Sequence, residues 1–373
     1  MIDNARHHSV HSLQAIDSYW QSDFTSHRDA PIFADRTDKE RFYSDCGNHS
    51  VALRVGEIHD SFKLVRRCNQ FVSMSGRTEG SIFDRSAAWR NSGYLQTCAE
   101  LPPWLSNGAG GLLLDEQLLA AAPFHRGSYL VFYNGNLHNY YHWVVEGVLL
   151  LDILSRALGV DSKAKIALPK SMHIAEVFDH RGSLEAVGFD GYNIAEIADN
   201  LIKVEEAIWV DSDLVQSMPA PHLKDFQQRL AARYTGLCGS RNRRLLIARK
   251  GPTRTIHNFE QVQAFLTKYG FETVYLEGKS IADQIILFQS AQFDVGAHGA
   301  GLANLLFCEP SSKVIEFMPS VELRPFFWLI SDKLDLVYGM QYRTPTGPQG
   351  FQSALAVDID KLQCLFRMVD AHA

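Results

Sequence analysis

The sequence has no excess of positive charge and no cysteine pattern, and both absences exclude classes of function. Its 36 Lys and Arg residues are outnumbered by 42 Asp and Glu residues, which gives a formal net charge of -6. Nucleic acid is therefore not expected as a partner. The six cysteines show no CxxC spacing, so neither a zinc ribbon nor a disulfide framework is predicted, and reduced thiols are expected.

A long hydrophobic run is also missing. The longest apolar stretch, WVVEGVLLLDIL, is too short and too acidic to span a bilayer. The opening residues, MIDNARHHSVHSLQ, lack the apolar core of a signal peptide. We therefore expect a cytoplasmic protein, which would meet a membrane-bound substrate by peripheral contact with the inner face of the plasma membrane.

What the sequence does contain is a regular alternation of strand and helix patterns. In the second half, RRLLIARK, FETVYLE, QFDVGA, KVIEFM and LVYGMQYR predict strands separated by helices. This alternation predicts an α/β fold whose parallel sheet binds ligands beyond the carboxyl ends of its strands. The first half predicts a β-rich entry over about residues 50–78, after a loop that runs to about Asp35. We place one domain at residues 1–222 and a second at residues 223–373, whose final helix, DIDKLQCLFRMVD, could pack back on the first.

A glycine-rich segment stands where a strand is expected to end and a helix to begin, in QFDVGAHGAGLANLLF. Gly299 and Gly301 would let backbone approach a ligand without a Cβ in the way, and the helix N-terminus would favour a phosphate. His298 could donate a hydrogen bond to the same anion. A tight turn around a satisfied histidine would produce the same pattern, so both interpretations stay open for this segment alone.

Charged side chains follow neighbouring strands of the same predicted sheet. Arg249, Lys250 and Arg254 come after one strand, and Glu316 ends another. Guanidinium groups match pyrophosphate oxygens, and a carboxylate at a strand end could accept hydrogen bonds from ribose. The alternatives are ordinary surface arginines and a glutamate in a local salt bridge.

Four segments in this order, YYHWVVE, IARKGPTR, GAHGAGLANLLF and KVIEF, resemble glycosyltransferase family 61, most specifically in HGAGLAN. The resemblance spans about Gly127 to Pro319. It implies a GT-B fold, with two Rossmann-like domains facing each other across a cleft, and an inverting reaction that requires no metal. It also implies that the C-terminal domain holds a nucleotide-sugar, with Glu316 near the nucleoside. The residues implied around the diphosphate are Arg249, Arg254, His298, Gly299, Ala300, Gly301 and Asn304.

A predicted helix in the first half carries three titratable side chains on one face. His138, His142 and Glu146 recur at spacings of four in NLHNYYHWVVEG. Three interpretations compete: a zinc site, a core histidine beside a surface glutamate, and acid–base catalysis. We favour the third, with His142 as the base that deprotonates an acceptor hydroxyl and Glu146 as its partner or itself the base. His138 is left out of catalysis because it would precede the helix proper.

Together these patterns predict an inverting glycosyltransferase that moves a sugar from a nucleotide-sugar, with UDP the favoured nucleotide, to a glycan or lipid-linked acceptor. A bacterial enzyme of capsule, lipopolysaccharide or exopolysaccharide synthesis is expected. No cofactor and no metal are predicted, because the DSD pattern at Asp211–Asp213 lies in the acceptor half and is interpreted as a turn. The alternatives are a nucleotide-sugar epimerase or hydrolase and an inactive sugar-nucleotide-binding subunit, and the oligomeric state is left open.

Overall fold

The computed structural model describes residues 19–48, 56–74, 82–83, 88–90, 105–108, 111–132, 139–158, 163–170, 178–211 and 220–372. Within these residues the chain forms parallel and mixed sheets covered by helices, so the predicted α/β class is confirmed. The GT-B arrangement stays a prediction. No helix in this described part is long and apolar enough to cross a membrane.

Strands and helices alternate along much of the chain. The strands are β1 (Tyr19–Arg28), β2 (Ile32–Phe33), β3 (Gly56–Ser73), β4 (Ile82–Phe83), β5 (Ala88–Arg90), β6 (Leu105–Gly108), β7 (Gly111–Leu114), β8 (Phe124–Leu130), β9 (Lys165–Pro169), β10 (Ile194–Ile197), β11 (Leu201–Asp211), β12 (Arg243–Ala248), β13 (Phe271–Tyr275), β14 (Ala291–Ala297), β15 (Lys313–Pro319) and β16 (Val337–Arg343). The α-helices are α1 (Arg36–Asn48), α2 (Glu116–Ala121), α3 (Tyr140–Trp143), α4 (Leu149–Leu158), α5 (His180–Ala186), α6 (Ala220–Arg233), α7 (Phe259–Thr267), α8 (Ile281–Gln289), α9 (Phe326–Lys333) and α10 (Ile359–Asp370). A π-helical turn at Val144–Val148 joins α3 to α4, and 3₁₀ helices cover Ala300–Phe307 and Gly350–Gln352.

The first sheet is mixed, in the order β10-β9-β8-β11-β3-β4-β5, with β1 also paired to β3. β10, β9, β8 and β11 run parallel, whereas β3 is antiparallel to β11, β1 and β4. The strand β3 confirms the β-rich entry. From Tyr19 onward the loop expected up to Asp35 is wrong, because β1 pairs along its whole length with β3, and residues 1–18 lie outside the described residues. That pairing joins segments far apart in sequence, so local periodicity does not reveal it.

The second sheet is parallel throughout, in the order β13-β12-β14-β15-β16-β2. The strand–helix alternation predicted for the second half is confirmed. Its central strands contribute fully buried side chains to the core, among them Leu245, Val295 and Ile315. Because β12 lies between β13 and β14, the strand order reverses at β12, and the carboxyl ends of these strands border the crevice where such sheets bind ligands.

The last helix, α10, packs on β15, β16 and β2 of the second sheet, and its packing on the first domain stays a prediction. The Asp358 side chain caps its N-terminus. Leu362, Leu365, Phe366 and Val369 form its buried face. Gly339 of β16 permits close packing, since a Cβ there would lie 2.7 Å from Val369 Cγ2.

Residues near the N-terminus contribute to the second sheet. β2 pairs with β16, and α1 packs on the same two strands, before the chain returns to the first sheet at β3. Between β1 and β2 the chain passes from the first sheet to the second. Asp29 fixes this connection, because its carbonyl accepts a hydrogen bond from Trp328 Nε1 at 2.8 Å. The backbone N–H of Asp29 donates to Asp332 Oδ1 at 2.9 Å. The domain boundary at residue 222 stays a prediction, but β2 and α1 lie on a sheet that the sequence assigned wholly to residues 223–373.

Candidate active site

A cleft of about 820 Å³ lies where the carboxyl ends of β12, β13 and β14 face the first half of the chain. Arg249, Arg254 and the segment Gly299–Leu302 line it on the side of the second sheet. Tyr140 and Phe178 line it on the opposite side, and their rings pack edge to face with centroids 5.6 Å apart. Its volume is within the usual range for small-molecule sites, and its position is where ligands of parallel sheets bind.

The glycine segment borders this cleft at the end of β14, through Gly299, Ala300 and Gly301. It leads into the 3₁₀ helix Ala300–Phe307, at the position where the sequence predicted a helix. Gly299 has an extended backbone, with φ at 169°, which any residue adopts. A Cβ at Gly299 would instead collide with the guanidinium of Arg249, since it would lie 3.1 Å from Cζ and closer still to Nη1. Gly299 therefore provides the space that Arg249 occupies.

Arg249 and Arg254, both singled out in the sequence, are brought together at the cleft. Arg249 Nη1 lies 3.5 Å from the carbonyl oxygen of His298, and burial lowers the pKa of Arg249. Burial, followed by the charges of Arg249 and Arg324, lowers the pKa of Arg254 to about 10. No group among the described residues accepts a hydrogen bond from the buried Nε of Arg254. Desolvated cations that repel one another are stabilised by a bound anion.

Arg324, which the sequence analysis missed, extends this positive cluster. Its Cζ lies 4.1 Å from the ring centroid of Phe351, and Arg254 Cζ lies 5.2 Å from the same centroid. Arg324 also forms an exposed ion pair with Glu322 at 2.9 Å, a type of contact that contributes little energy. Arg324 belongs to no motif in the sequence. Only the fold brings the loop after β15, which contains it, next to Phe351.

His298 and Glu316 lie together behind the cleft surface. His298 Nδ1 contacts Glu316 Oε1, and the Tyr338 hydroxyl donates to the other carboxylate oxygen. Glu316 is fully buried, and His298 is 4% exposed. The role that the resemblance implies for Glu316, near the nucleoside, is not supported by this position, because both carboxylate oxygens are engaged inside the protein. His298 likewise presents its backbone carbonyl to Arg249, while its ring packs 5.0 Å from that of Phe327.

Asn304 connects the glycine segment to the opposite wall of the cleft. Its Nδ2 donates to Gln284 Oε1 at 2.8 Å and to the Gly301 carbonyl at 3.0 Å. Its Oδ1 accepts a hydrogen bond of 2.6 Å from the Tyr140 hydroxyl. Burial raises the pKa of Tyr140, which keeps that hydroxyl protonated as a donor. Asn304 is fully buried, so in this structure it holds the site together and does not face the cleft.

His142 and Glu146 form a pair on the helix that begins at Tyr140. His142 Nδ1 lies 2.5 Å from Glu146 Oε2, and the side chains are 29% and 2% exposed. Glu146 lies in the π-helical turn, a feature that is frequent at functional sites and that the sequence did not predict. Neither side chain is among the described residues lining the cleft, whereas Asn139 and Tyr140, just before them, are. His138 lies outside the described residues.

Residues 140–315 match the family model Glycosyltransferase 61. This match supports glycosyltransferase family 61. Two rice proteins, from Oryza sativa subsp. japonica, are also similar. The beta-1,2-xylosyltransferase XAX1 is 37% identical over 82 residues, which are 22% of this chain and 14% of that protein. The beta-1,2-xylosyltransferase RCN11 is 41% identical over 59 residues, which are 16% of this chain and 11% of that protein. This chain therefore covers only a small part of either relative, and both names support a glycosyltransferase.

The family 61 match encloses most of the candidate site. It begins at Tyr140 and includes the histidine–glutamate pair, both cleft arginines and the glycine segment, and it ends just before Glu316. Arg324 and Phe351 lie beyond it. Among the described residues, no group of three or more His, Cys, Asp or Glu side chains could hold a metal ion. Of the DSD pattern, Asp211 ends β11, and the turn predicted at its other two residues falls outside the described part of the chain.

Glu277 is a second residue that the sequence analysis missed. It lies two residues after the end of β13 and lines the cleft, and its Oε1 accepts a hydrogen bond of 3.0 Å from the Lys250 backbone N–H. The signal that selected Glu316, an acidic residue at the end of a predicted strand, was also present in FETVYLE. Only the sheet order shows which of the two carboxylates faces the cleft.

Proposed function

We propose that the protein is an inverting, metal-independent glycosyltransferase of GT-B arrangement, and that a UDP-sugar is its donor. The observation that carries this proposal is the cleft in which two desolvated arginines and a glycine segment face a wall whose helix bears a histidine–glutamate pair. The family 61 match supports the same class of reaction.

On the donor side, Arg249 and Arg254 are suited to hold a diphosphate. Both are largely withdrawn from water, so a bound pyrophosphate would replace the solvation that they lose. The same positive charges would stabilise the nucleoside diphosphate as it leaves, because fixed donors act strongly where water is excluded. In other phosphate sites a divalent metal stabilises this negative charge. Here the two arginines would do so, which is the basis of the proposed metal independence.

On the acceptor side, His142 is suited to act as the base. A carboxylate 2.5 Å from Nδ1 favours the proton on that nitrogen, which leaves Nε2 to accept one. In the proposed single displacement, Nε2 takes the acceptor hydroxyl proton as the acceptor oxygen bonds to the anomeric carbon. The bond from that carbon to the phosphate oxygen breaks with its electron pair, so the diphosphate leaves and the anomeric configuration inverts. Glu146 would stabilise the imidazolium that results.

The wider role proposed here follows from the sequence. The acceptor would be a glycan or a lipid-linked glycan of a bacterial envelope polysaccharide, reached in the cytoplasm or at the inner face of the plasma membrane. The two rice relatives are named as xylosyltransferases, so UDP-xylose belongs among the donors to be tested.

A thermal-shift screen tests the proposed donor class. UDP-xylose, UDP-N-acetylglucosamine, GDP-mannose, CMP-sialic acid and dTDP-rhamnose would each be added in the presence of EDTA. A ligand present at about 100 times its Kd stabilises the native state by about 2.7 kcal/mol, so a donor should raise the melting temperature clearly. Stabilisation by UDP-sugars is expected, and no response to any nucleotide-sugar would contradict the proposal.

Turnover then separates transfer from the alternatives. With a donor that binds, nucleoside diphosphate should be released only when an acceptor is present, and EDTA should not slow the release. Release without acceptor would indicate a hydrolase, and interconversion of the donor sugar would indicate an epimerase. Loss of activity in EDTA that Mn²⁺ restores would refute metal independence.

A further inference from the structure

Two carboxylates line the cleft among the described residues, and only one of them faces the arginines. Asp179 is on the opposite wall, where its Oδ1 accepts a hydrogen bond of 2.8 Å from Gly182 N and caps α5. Glu277 is on the side of the second sheet, and its negative charge opposes the lowering of the pKa of Arg249 by burial. A carboxylate this close to a phosphate site requires an explanation, because it would repel the phosphate.

The position of Glu277 in the sheet provides that explanation. Lys250, whose N–H donates to Glu277, directly follows Arg249 after β12, so the carboxylate bridges the carboxyl ends of β12 and β13. The strand order reverses at β12, which β13 and β14 flank. In nucleotide-binding sheets of this kind, an acidic residue after the second strand accepts hydrogen bonds from ribose, next to the phosphate loop of the first strand.

The chemistry of Glu277 agrees with that position. A carboxylate has about four lone-pair sites, and the Lys250 N–H occupies one at Oε1. Glu277 is exposed in the cleft, so its other oxygen can accept hydrogen bonds from hydroxyl groups. Glu316, by contrast, is fully buried between His298 and Tyr338. We propose that Glu277, and not Glu316, accepts hydrogen bonds from the ribose hydroxyls of the nucleotide donor; this inference rests on the proposed function.

The test combines a side-chain change with removal of single ligand hydroxyls. Glu277→Gln keeps an oxygen for the Lys250 N–H and removes only the charge and part of the accepting capacity. Glu272→Gln is the matched control, because Glu272 lies in β13, the strand that precedes Glu277, but pairs with Arg243 at 2.6 Å outside the cleft. Calorimetry would measure the Kd of UDP and GDP, of their 2′-deoxy and 3′-deoxy forms, and of inorganic pyrophosphate.

For the native protein, we expect one of the deoxy forms to bind about tenfold or more weakly than its parent, since hydrogen bonds to charged groups are the strong ones. Glu277→Gln should weaken binding of the parent nucleotide to a similar degree. Binding of that deoxy form should be little weaker in Glu277→Gln than in the native protein. Glu277→Gln should not weaken pyrophosphate binding, because it removes a charge that repels phosphate, and Glu272→Gln should leave every Kd unchanged.

The other outcomes overturn the inference in distinguishable ways. Unchanged nucleotide affinity in Glu277→Gln would show that the Glu277 carboxylate has no role in nucleotide binding. Equal weakening of nucleotides and pyrophosphate would mean that Glu277 acts by orienting Arg249 and not on ribose. If the native protein bound neither UDP nor GDP, the proposed donor class would fail together with this inference, whereas nucleotide binding without the coupled loss would refute the ribose contact alone.

Discussion

Adding one methyl group at Gly299 should weaken nucleotide binding without destabilising the fold. The Cβ of Gly299→Ala would lie 3.1 Å from Arg249 Cζ and closer still to Nη1, so the guanidinium would have to move by about 1 Å to regain ordinary contact distance. The backbone at Gly299 is extended and imposes no strain on alanine. Since the end of an arginine side chain is flexible, the displacement should affect the ligand and not the core.

The size of the effect follows from the contact that Arg249 would lose. A hydrogen bond from a guanidinium to a phosphate contributes about 1.5–3 kcal/mol, which corresponds to about 10- to 100-fold in Kd. Calorimetry with UDP should show a loss in this range for Gly299→Ala, with the melting temperature of the free protein unchanged. Gly191→Ala is the control, because Gly191 is exposed and a Cβ there would meet no heavy atom within 4 Å.

A double-mutant cycle identifies the cause. If Gly299→Ala acts by displacing Arg249, it should cost little more in an Arg249→Ala background, because the interaction is already lost. The reasoning would be refuted by wild-type affinity in Gly299→Ala. It would also be refuted by an undiminished further loss in the Arg249→Ala background, since the methyl group would then act directly on the ligand or the loop.

Two further predictions concern the base and a buried acid. His142→Ala should lower kcat by about 10²–10⁴-fold and leave donor Kd unchanged, whereas Glu146→Gln should cost less; a larger loss in Glu146→Gln would reverse the two roles. Asp294 in β14 is fully buried, and burial raises its pKa to about 7, against the hydrogen bond from Cys308. The folded state therefore favours the protonated acid, and stability is lost as pH rises from about 4 through 7, by up to about 4 kcal/mol. Asp294→Asn should melt like the native protein at pH 4 and higher above pH 7, and a difference independent of pH would contradict this.

The second sheet could be predicted from the sequence because its strands and helices are local patterns. The buried runs of β12, β14 and β15 stand out against their amphipathic helices, so their order along the chain indicates the parallel sheet. The same approach failed for β1, whose partner β3 is a distant segment. Asn258, at the N-terminus of α7, likewise bonds a distant segment, since its side chain bonds the backbone of Val357 at 2.8 and 2.9 Å. Local signals cannot report a competing partner far along the chain.

The candidate site shows the same limit. Arg249 and the glycine segment were predicted together because both follow strands of one sheet, and the structure places both at the cleft. The inward position of Glu316 and the cleft position of Glu277 depend on which side chains the neighbouring strands cover, which sequence spacing does not determine. The approach of Arg324 to Arg254 depends on the Phe351 ring between two separate loops.

The placement of β2 and α1 on the second sheet has a consequence for the order of folding during synthesis. These elements leave the ribosome before the other strands of the second sheet, but β2 pairs with β16, and the rings of Phe42 in α1 and Trp328 lie 4.9 Å apart, so both wait for elements that come much later in the chain. Until then the edge of β2 and the side chain of Phe42, which is fully buried in the finished fold, have no cover. The second sheet therefore closes only after β16 has been made, and chaperone protection would be needed most between the synthesis of β2 and that of β16.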